Sequence, residues 1–202
     1  MEIVLASSNP HKVKEINAII SSHPLLRAKE DAQQNQEIIF ILPPEGFDPI
    51  ENGETFEENS LIKARAAWEL GKTWTLADDS GLCIDALEGA PGIHSARYAE
   101  TPQKRIDRVL QELDGAKNRT ARFKCCMTLL NPEGEIAFSY TGICEGSIVT
   151  NQRGRNGFGY DPIFLVNGTK KTMAELSEEE KNSISHRGKA LEAVLNWILG
   201  NI

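Results

Sequence analysis

Residues 3–20 read Ile3-Val4-Leu5-Ala6, then Ser7-Ser8-Asn9-Pro10-His11-Lys12, then an apolar recurrence at Val13, Ile16, Ile19 and Ile20. A short apolar run bounded by polar residues reads as a buried strand, and recurrence at three- and four-residue steps reads as one face of a helix. The chain therefore opens strand, polar loop, helix. Working outward, Ile38 to Leu42 is a second apolar run, halted by Pro43-Pro44. Thr55-Phe56-Glu57-Glu58 is a capping box, with Thr55 as N-cap and Glu58 three residues on. The helix it starts carries Leu61, Ile62, Ala66 and Trp68, and Gly71 is its expected stop. Trp74 to Ala77 reads as a strand ending at Asp78-Asp79-Ser80-Gly81, with Leu82 to Leu87 apolar again. Thr101-Pro102 opens a helix whose stripe is Ile106, Val109, Leu110 and Leu113. Thr120 to Leu130 and Glu135 to Thr141 are strand-like around a hairpin turn at Asn131-Pro132-Glu133-Gly134, and Ile143 to Val149 reads as a third antiparallel strand. Ser177 to Glu180 is a second capping box, and the last helix carries Ala190, Leu191, Val194, Leu195 and Ile198 on one face. Elements that alternate first and then run strand upon strand predict a mixed sheet with helices packed on it, α/β to α+β.

The chain has 202 residues, enough for one domain or two tightly joined lobes. It is read as a single domain over 1–202. Hydrophobic residues make up 40% and charged residues 25%, which excludes a disordered chain. A net charge of −7 disfavours a nucleic-acid binder, because phosphate contacts need clustered cations. It leaves room for a local basic pocket. No apolar run approaches the roughly 20 residues of a membrane helix, so no membrane association is expected. Met1-Glu2-Ile3 opens with no basic stretch and no long apolar segment, so no secretory signal is expected, and the four cysteines (Cys83, Cys125, Cys126, Cys144) have no C-x-x-C spacing. Reduced, buried thiols in a cytoplasmic protein are the expectation.

Four segments carry candidate chemistry. Ser7 to Lys12 joins a strand to a helix N-terminus, where unpaired N–H groups and the positive end of the dipole suit a phosphate. The P-loop pattern is absent, and a plain helix cap is the competing reading. Asp78-Asp79 supplies hard oxygen ligands suited to Mg²⁺, or a base for water, against the alternative of a turn that caps a strand. Lys63, on the helix before it, reads by default as a solvated lysine. Gly154 to Pro162 holds three glycines in nine residues, with Phe158 and Tyr160 able to stack on a base and Asp161 able to bind a polar edge. Lys181 to Arg187 offers cations and His186 at what reads as the second turn of a capped helix. Jointly these describe a nucleoside triphosphate site without a P-loop.

The same residues carry a resemblance. Ser7-x-Asn9-x-x-Lys12, Thr55-Phe56-Glu57-Glu58-Asn59 with Lys63, Leu76 to Leu82, Pro91-Gly92-Ile93-His94-Ser95-Ala96-Arg97-Tyr98, Gly157 to Pro162 and Ser183-Ile184-Ser185-His186-Arg187 occur in the order found in one family. The chain resembles the inosine triphosphate pyrophosphatase (Ham1-like) family from Leu5 to about Leu195. The resemblance implies an elongated mixed sheet flanked by helices, in two lobes with the active site in the cleft between them. It implies a homodimer that uses Mg²⁺ to hydrolyse ITP, dITP and XTP to the monophosphate and pyrophosphate, a house-cleaning of the nucleotide pool. By position, Asp79 matches the general base and metal-linked carboxylate, with Asp78 and Glu51 as further metal candidates. Ser7, Ser8, Asn9, Pro10, His11 and Lys12 match the triphosphate loop. Lys63, Ser80, the base loop Phe158, Gly159, Tyr160 and Asp161, and Lys181, His186 and Arg187 match substrate contacts. Ser7-Ser8 stands where many members have Thr-Gly, which stiffens the loop. Nothing is carried over from Ser21 to Ile50.

Selectivity would rest on the purine 6-position, a carbonyl acceptor in hypoxanthine and xanthine and an amino donor in adenine. Two other readings compete: a nucleotide-binding sensor without turnover, and a pyrophosphatase for other modified nucleotides such as methylated pyrimidines. The adjacent carboxylates disfavour the first.

Overall fold

The structure is a computed structural model and describes residues 1–23 and 38–202. Ile3, Val4, Leu5 and Ala6 are buried, and β1 spans Glu2–Leu5. Helix α1 (Pro10–Ser22) follows, capped by Asn9, whose side chain accepts from the N–H groups of His11 and Lys12. Next come β2 (Ile39–Ile41), α2 (Phe56–Gly71), β3 (Thr75–Ile84), α3 (Pro102–Glu112), β4 (Thr120–Leu130), β5 (Ile136–Ile148), β6 (Phe164–Val166), α4 (Glu178–Ile184) and α5 (His186–Asn201). The six strands form one mixed sheet in the order β2-β1-β3-β4-β5-β6. β1 pairs in parallel with β2 and β3, and β5 pairs antiparallel with β6. The expected mixed sheet flanked by helices is therefore present.

The chain divides into two compact units: Met1–Asp79, Cys126–Thr141 and Ala190–Ile202 in one, Ser80–Cys125 and Gly142–Lys189 in the other. In the first, Ala64 and Ala67 of α2 pack with Val4, Ala6, Ala77 and Leu130. Small side chains let the helix approach the strands closely, and Ser60 fixes it there. The Ser60 hydroxyl donates to the Ala77 carbonyl at 3.1 Å and lies 3.0 Å from Thr128 Oγ1. In the second unit, Leu82, Ile84, Ile106, Val109, Leu113, Phe123, Ile148, Tyr160, Ile163 and Phe164 belong to one buried cluster.

Three local expectations are corrected. Strand β3 does not stop at Ala77 but runs through Asp78, Asp79, Ser80 and Gly81 to Ile84. The two carboxylates sit mid-strand, because each finds a cation rather than a turn. The segments 135–141 and 143–149 are one strand, β5; from Gly142 to Ile148 its burial alternates residue by residue, as one strand half facing a core requires. The third antiparallel strand is instead β6, and Gly146 admits it: a Cβ there would lie 2.4 Å from the Leu165 carbonyl oxygen. Lys181 to Arg187 is not one helical turn. Ser185 adopts an extended conformation, ends α4 through a Lys181 carbonyl bond, and caps α5 by accepting the Gly188 N–H at 3.0 Å. His186 and Arg187 thereby open a new helix. The capping box at Thr55 and Glu58 forms as expected, and α2 ends at Gly71, followed by a left-handed cap at Lys72.

All four cysteines are buried thiols outside any disulfide. Burial pushes the Cys144 thiol up to about 11, and burial also raises Cys83 and Cys126. At pH 8 roughly one Cys144 thiol in a thousand is then thiolate, the nucleophilic form. Iodoacetamide at pH 8 is expected to leave the native protein unlabelled and to modify all four cysteines after guanidinium unfolding, as intact-mass spectrometry would show.

Candidate active site

Strand pleating determines how the acidic pair is used. Adjacent residues of β3 point to opposite faces, so Asp78 and Asp79 meet different partners. Asp78, 1% exposed, pairs with Lys12 at 2.9 Å. Asp79, 6% exposed, lies 3.4 Å from Lys63 Nζ. Lys63 also reaches Glu51 at 3.1 Å. Lys63 is buried rather than solvated, since α2 is docked by Ser60 one turn earlier. Burial lowers the lysine's pKa, but Asp78, Asp79 and Glu51 outweigh burial and hold it above the usual range. Burial pushes the Asp79 carboxyl up; Lys63 and Lys12 pull it back only in part, and Glu51 and Asp78 add to the rise. One oxygen of Asp79, Oδ2, is buried with no hydrogen-bond partner.

Three carboxylates here face two ammonium groups, leaving a formal charge of 2 − 3 = −1. A polyphosphate would meet net repulsion unless a cation came with it. Among the described residues no three His, Cys, Asp or Glu groups close into a metal cage. Mg²⁺ needs none, since it usually takes one or two carboxylates and completes its shell with water and phosphate oxygens. The hard-oxygen donor set of Glu51, Asp78 and Asp79 fits such an ion.

The loop before α1 is more settled than its sequence suggested. Asn9 Oδ1 accepts from the N–H groups of His11 and Lys12 at 3.0 and 3.3 Å. Ser7 is buried and turns back on the strand, its N–H donating to the Leu5 carbonyl. Pro10 starts the helix, and Ser8 and His11 are exposed.

The second unit holds a separate group. Lys181 Nζ donates to Asp161 Oδ2 at 2.8 Å, and both residues are buried. The same oxygen accepts the Phe158 N–H at 2.8 Å. Gly157 makes this turn possible: its φ is +73°, and a Cβ there would lie 2.0 Å from Asp161 Oδ2. Lys181 Nζ and Arg187 Cζ lie 4.9 and 5.7 Å from the centre of the half-buried Phe158 ring, within cation–π range. Arg187, 2% exposed, donates through Nη2 to Ser80 Oγ at 2.9 Å. His186 stacks on Phe123, centroids 4.7 Å apart and planes 13° from parallel. Gly159 turns with φ +62°. Tyr160 differs from its loop neighbours: its ring is core, and its hydroxyl donates to the Ser95 carbonyl at 2.9 Å. Phe123 and Ser95 were not among the expected site residues. Ser95 lies inside the Pro91 to Tyr98 motif, but no local pattern marks Phe123 as the platform for His186.

The structure thus brings Lys12, Asp78, Asp79, Lys63 and Glu51 together in one unit, and Ser80, Phe158, Asp161, Lys181 and Arg187 in the other. The first group suits an anion that arrives with a cation, and the second presents an aromatic ring beside two cations. The Ham1 family pattern matches residues 3–197. A dITP/XTP pyrophosphatase of Treponema denticola is 45% identical over 207 residues, covering 100% of both chains. A HAM1 protein of Coxiella burnetii has a TM-score of 0.84 at 41% identity, covering 99% of each chain. The Staphylococcus aureus Ham1 protein also reaches 0.84, at 36% identity and full coverage of both. The chain belongs to the Ham1 family. Among the described residues no helix is long and apolar enough to cross a membrane.

Proposed function

We propose that this protein is a nucleoside triphosphate pyrophosphatase that converts dITP, ITP and XTP to the monophosphate and pyrophosphate, acting as one catalytic domain over 1–202 and as a cytoplasmic homodimer. The observation that carries the reading is the buried, unpartnered Asp79 Oδ2 beside Lys63, in a chain resembling dITP/XTP pyrophosphatases along its whole length. Asp79 Oδ2 accepts a proton from water as the water oxygen bonds to phosphorus and the α–β anhydride breaks. Lys12 and Lys63 face the charge that develops on the phosphates. Asp79, Glu51 and Asp78 are the residues that would hold Mg²⁺. When bound, that ion neutralises phosphate charge and orients the chain, most of what phosphoryl transfer requires. Ser7, Ser8 and the start of α1 receive the phosphates at a positive helix end.

On this reading Phe158 stacks on the purine, and Lys181, His186 and Arg187 read its edge. Donors aimed at a 6-carbonyl are left unpaired by adenine, and a site built that way discriminates by about 10⁴ to 10⁵. The test is pyrophosphate release by purified protein with Mg²⁺ from dITP, XTP, dGTP, dATP and dTTP in parallel. Rapid release from dITP and XTP, with little from the others, is expected. Tight dITP binding without release would favour a sensor, and release mainly from dTTP would overturn the base assignment.

A further inference from the structure

The motif Pro91 to Tyr98 supplies no side chain to either group above, yet Ser95 within it is buried and bonded on three sides. Its hydroxyl donates to the Gly92 carbonyl at 2.6 Å and accepts the Leu82 N–H at 2.9 Å. Its own carbonyl accepts the Tyr160 hydroxyl at 2.9 Å. Leu82 lies two residues past Ser80 on β3, so Ser95 is tied to the strand that presents Ser80 to Arg187. Tyr160 lies between Phe158 and Asp161, in a turn closed by Asp161 N–H to the Phe158 carbonyl at 3.3 Å and Ile163 N–H to the Tyr160 carbonyl at 3.0 Å. Any shift of Tyr160 must move the Phe158 ring and the Asp161 carboxylate together.

We propose that Ser95 and Tyr160 are positioning residues that set base selectivity, Ser95 bracing β3 and Tyr160 locking the 158–161 turn to that brace. This rests on the reading that the turn receives the base. Tyr160 then acts from behind the site: its ring fills the core of the unit and leaves the turn one fixed depth. Burial raises the Tyr160 phenol well above its ordinary value, so it remains a donor across the physiological range. The device is specific, because a hydrogen bond has a direction that apolar packing of the same ring lacks.

Tyr160→Phe keeps the ring and removes the bond. In the full-length protein with Mg²⁺, we expect KM for dITP to rise about tenfold, the scale of one lost buried hydrogen bond. The drop in kcat should be smaller, and the ratio of kcat/KM for dITP over dATP should fall by a similar factor of about ten. Ser95→Ala, which removes the link to Leu82, should shift the ratio in the same direction, and it serves as the second variant if Tyr160→Phe fails to fold. A merely structural role would lower the melting temperature and leave that ratio in place. An unchanged ratio in both variants, or a loss confined to kcat, overturns the proposal. Wild-type protein that releases no pyrophosphate from dITP would sink the functional reading instead. Calorimetric binding of dITP and dATP to the same three proteins would then decide the brace by the same ratio.

Discussion

Asp79→Asn is expected to lower kcat/KM for dITP by about 10³-fold, nearly all of it in kcat, within the span ascribed to a general base. Asparagine has the same shape and keeps an acceptor toward Lys63, but it neither takes a proton from water nor supplies a charged oxygen. The variant should also be no less stable than the parent. Asp79 is a buried carboxylate whose Oδ2 has no hydrogen-bond partner, and burial raises its pKa, so its charge opposes folding. Removing that charge while Lys63 keeps Glu51 at 3.1 Å costs the fold little. Lost turnover with an undiminished melting temperature separates a catalytic carboxylate from a structural one, and near-normal turnover would contradict the assignment.

Lys181→Met should give the largest stability loss. Lys181 and Asp161 are 7% and 4% exposed and joined at 2.8 Å, and the Phe158 N–H converges on the same carboxylate oxygen. Removing the lysine leaves a buried carboxylate without its cation, a defect of about 3 kcal/mol or more. For a chain of this length that corresponds to a melting-temperature drop of roughly 10 °C. Adding Asp161→Asn should recover most of it, since the neutral amide still accepts the Phe158 N–H. Activity toward dITP should stay low in both variants, because the base loop has lost its charged pair. Thermal denaturation of the three proteins checks this. A single variant as stable as the parent would mean that the pair is not buried as described.

What the sequence revealed and what it hid follow from the range of each interaction. Capping is local, so Thr55, Thr101 and Ser177 announce their helices within four residues. The opening strand, loop and helix carry their own periodicity. Asp78-Asp79 looked like the end of a strand because two adjacent carboxylates rarely lie inside one. Lys12, about 66 positions away, and Lys63, on a helix docked through Ser60, make the interior position tolerable, and neither contact has a local signature. Lys63 seemed solvated for the same reason. Ser185 divided the last helix through its side-chain bond to Gly188, a pattern easily taken for a helical interior. The hydroxyl of Tyr160 finds Ser95 across 65 positions, which no stacking argument about an aromatic loop reveals.

Cleavage of the α–β anhydride of a deaminated purine triphosphate is the property on which every residue role above depends. ³¹P NMR of dITP with Mg²⁺ and the purified protein reads out which bond breaks. All three triphosphate resonances should disappear and two signals grow, dIMP and pyrophosphate, in a 1:2 intensity ratio, because pyrophosphate carries two equivalent phosphorus atoms. Orthophosphate with dIDP as the first products would mean cleavage at the β–γ bond and would contradict the α–β assignment.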